Sequence, residues 1–354
     1  MAEIDQLFNI LINKKGSDLH LEEGQKPKIR INGQLVETGD ETLTRERMTA
    51  LLSPLTPKED WQKFEAQGDL DFAYALDGQA RFRANYFRHF FGLGAVFRLI
   101  PSQIRSIEDL DLPAHIKNFA KWRSGLVLVT GPTGSGKSTT LAAIIDYINT
   151  YFSQKIITIE EPVEFIHTNK KSLISHREVG KDTLSFATGL RTAIKSDANI
   201  ILVGEMRDRE TMELALTASE MGILVFATLH TNSAAKTIDR IIDTFPQSHK
   251  NQIRTVLANN LKAIIAQQLL PSADKTRRWA AYEILIRNQA LGNIIQTGES
   301  MRLTSEIQTN QAMGMVLMDD SLMELVKAQK VTKEEAFLKA IEKSRFAGDF
   351  NPTG

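Results

Sequence analysis

GLVLVTGPTGSGKSTTLAAIIDYI, residues 125–148, changes texture twice. LVLVT is an apolar run short enough for a buried strand, a glycine-rich break follows, and STTLAAIIDYI restores apolar residues at helical spacing. Gly131, Gly136, Lys137 and Ser138 fit G-x-x-x-x-G-K-[ST] in the strand–loop–helix setting that this motif requires. Glycines at 131, 134 and 136 admit backbone conformations closed to residues with a Cβ, so successive N–H groups can turn inward around phosphates at the helix N-terminus. In such a loop Lys137 pairs with the β- and γ-phosphates and Ser138 ligates Mg²⁺, while Thr133, Ser135 and Thr139 line the same cradle. ATP and Mg²⁺ are the cofactors expected. A glycine turn that only joins strand to helix is the plainer alternative, and the complete motif in its setting outweighs it.

Composition bounds the rest. The 354 residues predict two domains and a sizeable core. Lys+Arg and Asp+Glu both number 43, so net charge offers no case for direct nucleic-acid or anionic-membrane binding. The sequence has no cysteine, which excludes disulfides, thiolate nucleophiles and cysteine-held zinc. No window approaches the roughly 20 consecutive apolar residues of a membrane span, and MAEIDQLFNILINKKGSDLH is acidic and amphipathic rather than a basic leader. A cytoplasmic chain is expected.

Two textures divide the sequence. Over 1–100 the spacing predicts helices at Ile4–Asn13, Thr44–Leu52 and Lys58–Ala66, and strands at Leu19–Glu22 and Lys28–Asn32. LDFAYAL, ARFRANYFRHF and GLGAVFRLI, separated by Asp77-Gly78 and Gly92, then read as an antiparallel meander. PSQIRSIEDLDLPAHI, with proline near both ends and alternating charge, reads as a linker over 101–117. From 118 to 354 the texture is α/β. GLVLVT, KIITIE, NIILVG and ILVFATL alternate with helical patterns at Lys137–Asn149, Thr183–Lys195, Arg209–Met221 and Ala234–Thr244, the signature of a parallel sheet with crossover helices. After Phe245 the expectation is mostly helix, with one strand at WAAYEILI.

Hydrolysis needs acidic groups beside the cradle. NIILVGEMRD ends a strand in Gly204-Glu205, placing a carboxylate at the end of the sheet where α/β ligands bind. ITIEEPVEFIH supplies Glu160, Glu161 and Glu164, one of which could take a proton from, or orient, the attacking water, although an exposed acidic loop has the same composition. His230 follows another apolar strand. A lone histidine there is more often a structural hydrogen-bonder, and the acidic strand ends nearby favour a working one.

GPTGSGKST, ITIEEPVEFIH, NIILVGEMRD and ATLHTNSAAKTIDR occur in the order Walker A, Asp box, Walker B and His box, and by them the chain resembles the secretion ATPase superfamily. Within it, GSDLHL, RFRANYF, GAVFRLIP and HREVG extend the resemblance to the pilus-retraction branch over nearly the whole chain. The resemblance implies a PAS-like α+β N-terminal domain followed by a RecA-like P-loop ATPase domain with a helical C-terminal region. It implies a homo-hexamer that binds ATP at domain and subunit junctions, peripheral to the inner membrane at its cytoplasmic face. There the ring would turn a membrane platform protein and act on the pilin filament indirectly.

Residue by residue, the same resemblance makes Glu164 the general base and has Glu205 support metal and water, with His230 sensing the γ-phosphate. Arg83 and Arg98 stand where the family reaches the phosphates, and Arg81 shares a strand face with Arg83. Arg177, Arg207 and Arg240 are weaker nominees that could equally form salt bridges at subunit contacts.

Three positions depart from the pattern: Glu161 where aspartate is frequent, His176 where glutamine is usual, and Gly292 in QALGNIIQTG where the retraction branch carries arginine. The rival readings weaken on the residues present. A pilus-extension or type II secretion ATPase would bring a larger N-terminal region and often a four-cysteine insertion. An accessory retraction ATPase would differ in its P-loop and His box, a conjugation ATPase would lack GSDLHL and GAVFRLIP, and a non-catalytic nucleotide-gated ring would not need Glu164, Glu205 and His230 together.

Overall fold

The computed structural model describes residues 4–31, 33–76, 80–100 and 103–346. The expected Asp77-Gly78 turn, Asn32, Pro101 and Ser102 lie outside them, as do the first three residues of the amphipathic start. The chain forms two units: Met1–Gln103 with Pro162–Ile166, and Ile104–Glu161 with His167–Gly354.

In the first unit the order is α1 (Ile4–Asn13), β1 (Asp18–Glu22), β2 (Lys28–Ile31), β3 (Gln34–Glu37), α2 (Arg45–Leu52), α3 (Lys58–Gln67), β4 (Asp69–Leu76), β5 (Ala80–His89) and β6 (Gly92–Ile100). The strands make one antiparallel sheet, β3-β2-β1-β6-β5-β4, and its last three members are the expected meander. Alternation along β5 explains the layering: Phe82, Ala84 and Tyr86 are buried while Arg81 and Arg83 take the other face. Phe8 of α1 fills the core, stacked 4.2 Å from Phe82 and edge-on to Phe97 at 5.0 Å. Thr44 caps α2 by accepting from the Arg47 N–H, and Gly68 ends α3 at φ +88°. β3 has no counterpart among the expected strands; it is a four-residue edge strand exposed along its length, so no burial pattern marks it.

The second unit contains β7 (Gly125–Thr130), α4 (Lys137–Tyr151), β8 (Lys155–Glu160), β9 (Leu173–Glu178), α5 (Phe186–Ile194), β10 (Ile200–Val203), α6 (Arg209–Glu220), β11 (Leu224–Leu229) and α7 (Ala234–Asp243). It continues with α8 (Lys250–Asn260), β12 (Leu261–Pro271), β13 (Arg278–Ile286), α9 (Gln289–Thr297), α10 (Leu303–Thr309), α11 (Met318–Lys327) and α12 (Lys333–Lys339). Its sheet runs β13-β12-β7-β11-β10-β8-β9, parallel except where β13 returns against β12. β7 and β11 are buried at every position, which is why they read as unbroken apolar runs.

Three expectations need correction. The region after Phe245 is not mostly helical up to Trp279, because α8 passes directly into β12, whose LKAIIAQQLLP is buried on both faces and so carries no strand alternation. The segment from 104 to 117 is no free linker: Ile107, Leu112 and Ile116 are buried in the core of the second unit, and Ser106 and Asp109 cap each other. The helix expected from Thr183 begins at Phe186, where Ser185 accepts from the Thr188 N–H.

A histidine pair is built into this unit. The backbone N–H of His167 donates to His176 Nε2 at 3.1 Å, which leaves His176 Nδ1 to carry the proton toward Thr158 Oγ1 at 2.9 Å. Burial first, then the adjacent His176 ring, pushes the His167 imidazole down to about 4. The unfolded chain therefore binds the proton first, and stability falls as pH drops from the ordinary histidine range toward 4, by roughly 2–3 kcal/mol for this depression. His167→Gln should flatten that part of the profile relative to the parent, as read by urea unfolding between pH 4 and 7; parallel profiles would refute the assignment.

Candidate functional site

The P-loop takes its shape from glycine. Gly131 sits at φ +143°, Gly134 at +79° and Gly136 at +90°. A Cβ on Gly131 would lie 2.3 Å from the Gln267 carbonyl oxygen and 2.5 Å from Ser135 Oγ, so no other residue fits there. α4 starts at Lys137 with Gly136 as its cap and no side chain bonded to its first N–H groups, the arrangement in which a helix N-terminus takes an anion.

The Lys137 ammonium lies 2.8 Å from the Gly131 carbonyl oxygen, 3.1 Å from that of Pro132 and 3.5 Å from His230 Nδ1. Thr133 and Gly134 are exposed on the loop, and Ser138 and Thr139 are half-exposed on the first turn of α4. Ser135 Oγ is buried without a hydrogen-bond partner in the protein. Uncapped N–H groups, an ammonium resting on carbonyls and an orphaned hydroxyl fit a polyphosphate, and the Ser138 hydroxyl fits its Mg²⁺.

Gln267 of β12 braces this loop, and no sequence motif nominates it. Its Nε2 donates to the Ser135 carbonyl at 2.7 Å, and its Oε1 accepts from Thr140 Oγ1 at 2.7 Å, both buried. The available signal is the Gln267-Gln268 pair inside an otherwise apolar run, since buried amides need partners.

Acidic groups collect at the neighbouring strand ends. Glu205 follows β10 and Glu161 follows β8, and the Arg207 guanidinium joins them, Nε to Glu205 Oε2 and Nη1 to Glu161 Oε2, each at 2.8 Å. His230, just past β11, places Nε2 3.0 Å from Glu205 Oε1. Burial works against the Arg207 charge, but the bond to Glu205 and both carboxylate charges outweigh it and raise its pKa. Glu205, Met206, Arg207, Leu229, His230 and Thr231 line a cavity of about 410 Å³. The structure therefore gathers Lys137, His230, Glu205 and Glu161 into one polar chain.

Glu164, Arg81, Arg83 and Arg98 belong to the first unit. Arg81 Nη1 donates to the Val163 carbonyl at 2.8 Å, holding the short stretch that carries Glu164, which is itself half-exposed between buried Val163 and Phe165. Arg83 and Arg98 are cross-strand partners on β5 and β6. Arg98 Nε is bonded to Asp18 Oδ1 at 2.8 Å, and Arg83 lies 3.9 Å from Asp71. Arg177 donates to the Asp182 carbonyl, and Arg240 borders the cavity beside Glu205.

Removing the Gln267 amide strands the Ser135 carbonyl and Thr140 hydroxyl, a penalty of about 1–3 kcal/mol per buried group. Gln267→Ala is expected to weaken binding of a fluorescent ADP analogue at least severalfold while the chain still folds by circular dichroism; unchanged affinity would show that the loop holds its shape without the brace.

Comparison with known proteins places this geometry. Residues 1–347 match the family model described as type II/IV secretion system protein. The chain is 44% identical over 338 residues to the type IV pilus retractation ATPase PilT of Pseudomonas aeruginosa, covering 96% of this chain and 98% of that protein. It is 46% identical over 310 residues to a twitching motility protein of Neisseria gonorrhoeae, covering 88% and 83%. The crystal structure of the pilus retraction motor PilT with bound ADP superposes with a TM-score of 0.90 at 41% identity, over 98% of this chain and 99% of that one. Kinship that spans both units and includes the phosphate cradle has one reading: the chain belongs to the type II/IV secretion system protein family.

Proposed function

We propose that this chain is an ATP-hydrolysing motor that retracts type IV pili. The observation that carries the reading is the continuous line Lys137–His230–Glu205–Arg207–Glu161, which joins the phosphate-binding loop to three acidic or basic strand ends. The likeness to a retraction motor over nearly the whole chain supports the same conclusion. No described helix is long and apolar enough to cross a membrane. We place the protein in the cytoplasm, as a homo-hexamer at the inner face of the inner membrane, acting on a platform protein and through it on the filament.

In this mechanism the P-loop N–H groups and Lys137 bind and orient the β- and γ-phosphates. Ser138 and Glu205 would hold Mg²⁺, which when bound would supply positive charge to the transferred phosphoryl group. His230 sits beside Lys137 and Glu205 and senses the γ-phosphate. Glu164 takes the proton of the attacking water. Arg81 holds the Glu164 stretch by its backbone, and Arg83 and Arg98 supply positive charge to the phosphates. Arginines carried on a unit other than the P-loop's make hydrolysis depend on closure, so chemistry is tied to movement.

Gly292 bears on coupling rather than turnover. It lies within α9, and a Cβ there would meet only the Ala258 carbonyl oxygen, at 3.7 Å, an ordinary contact. Gly292→Arg should fold and gain up to about 0.8 kcal/mol of helix stability.

Retraction in cells lacking their own retraction ATPase tests the whole reading. The parent chain should restore it, and Lys137→Ala should lose both retraction and ATP turnover; a parent that hydrolyses ATP while filaments stay extended refutes the motor assignment. Glu164→Gln is expected to bind ATP as the parent does with turnover down by roughly 10²–10⁴. Parent-like turnover in that variant would move the base elsewhere.

A further inference from the structure

We propose that Arg207 is a positioning residue for hydrolysis, its guanidinium holding Glu205 and Glu161 in one fixed arrangement. This rests on the ATPase reading above and assigns Arg207 to neither the phosphates nor a subunit contact.

The need for it arises in the sheet. β10 and β8 are parallel neighbours, with Val203 opposite Ile159, so Glu205 and Glu161 each stand two residues past the same paired position. Neighbouring strands lie about 4.8 Å apart, and two carboxylates leaving them side by side repel. Arg207, two residues after Glu205, turns back and donates Nε to one carboxylate and Nη1 to the other, each at 2.8 Å. The second oxygen of Glu205 faces His230 Nε2 at 3.0 Å. Each oxygen of Glu205 thus faces a nitrogen, Arg207 Nε at 2.8 Å and His230 Nε2 at 3.0 Å, and the pair sets the direction of the carboxylate. Glu161 immediately precedes Pro162–Ile166, the stretch that carries Glu164, so the same guanidinium also anchors the strand end from which that stretch departs.

A structural salt bridge would explain the contacts more simply, and exposure separates the two readings. The Arg207 side chain is 53% exposed, where ion pairs add at most about 1 kcal/mol to stability. Its worth must therefore appear in orientation. Orientation also distinguishes arginine from lysine, because one ammonium cannot reproduce a planar fork with two separated donors.

The test uses the full chain, with parent turnover measured first. No ATP turnover by the parent would overturn the ATPase reading and this inference with it. With parent turnover in hand, Arg207→Gln is expected to lower kcat by roughly 10- to 100-fold, the scale of small misplacements in an active site. Arg207→Lys should lose nearly as much, with KM for ATP, the Kd of a fluorescent ADP analogue and the thermal midpoint unchanged in both. Combined with Glu161→Gln, Arg207→Gln should cost less than the two separate losses multiplied, because the residues act as one unit. Full parent kcat in Arg207→Lys, multiplicative losses in the double variant, or a kcat loss accompanied by a lowered thermal midpoint or a smaller oligomer would each overturn the positioning role.

Discussion

Parallel register in the second sheet is the constraint on which the site depends. Thr130 of β7 pairs with Leu229 of β11, and Val203 of β10 pairs with both Ala227 of β11 and Ile159 of β8. Four strands consequently release their chains at one end of the sheet, and each release begins a segment of the candidate site: the P-loop, Glu161, Glu205 and His230. Because these central strands are buried on both faces, a slip of one residue in any pairing would exchange the side chains packed against the two helical layers and remake the core contacts. The apolar contacts that fix register are thus what fix the distances at the site. Thr228 and Gly204 make the link explicit, the hydroxyl of one bonded to the carbonyl of the other directly behind Glu205.

The two units solve different problems with similar materials. The first has an antiparallel sheet with an aromatic core, and its arginines emerge on the face that β5 leaves to solvent. Asp18 shows the cost of placing charge near such a core. Burial would raise its pKa, yet hydrogen bonds from Ser17 and Arg98 outweigh that and hold it below the ordinary carboxylate value. The second unit has almost no freedom of that kind in its central strands, so its chemistry is confined to the segments that leave their carboxyl ends.

The range of each interaction decides how legible it is in the sequence. The P-loop is legible because glycine conformations, lysine and serine lie within nine residues and need no distant partner to be recognised. Most strands and helices are legible through local alternation or helical spacing. Gln267 is hidden because its partners Ser135 and Thr140 are more than a hundred residues away and β12 itself reads as a continuation of helix. The edge strand Gln34–Glu37 is hidden for the opposite reason, having no buried face to leave a pattern. Arg207 can be nominated from GEMRD, but its bond to Glu161 joins residues 46 apart and depends on β8 lying beside β10, a neighbour relation that chain order does not reveal.

In the mechanism proposed above, nucleotide would act on this arrangement through Lys137. An ammonium has three donors, and the Gly131 carbonyl, the Pro132 carbonyl and His230 Nδ1 all lie within 3.5 Å of this one. A phosphate oxygen that takes a hydrogen bond from Lys137 must therefore displace one of its present acceptors. The carbonyls belong to the loop that wraps the phosphates, whereas His230 belongs to another strand and holds Glu205 with its other nitrogen. Of the three contacts the one to His230 Nδ1, at 3.5 Å, is the longest, so it is the acceptor that Lys137 gives up at least cost. Release leaves His230 tethered on one side only, by Glu205. In the mechanism proposed above, a phosphate at Lys137 would thus change the contacts of His230, the histidine beside Glu205.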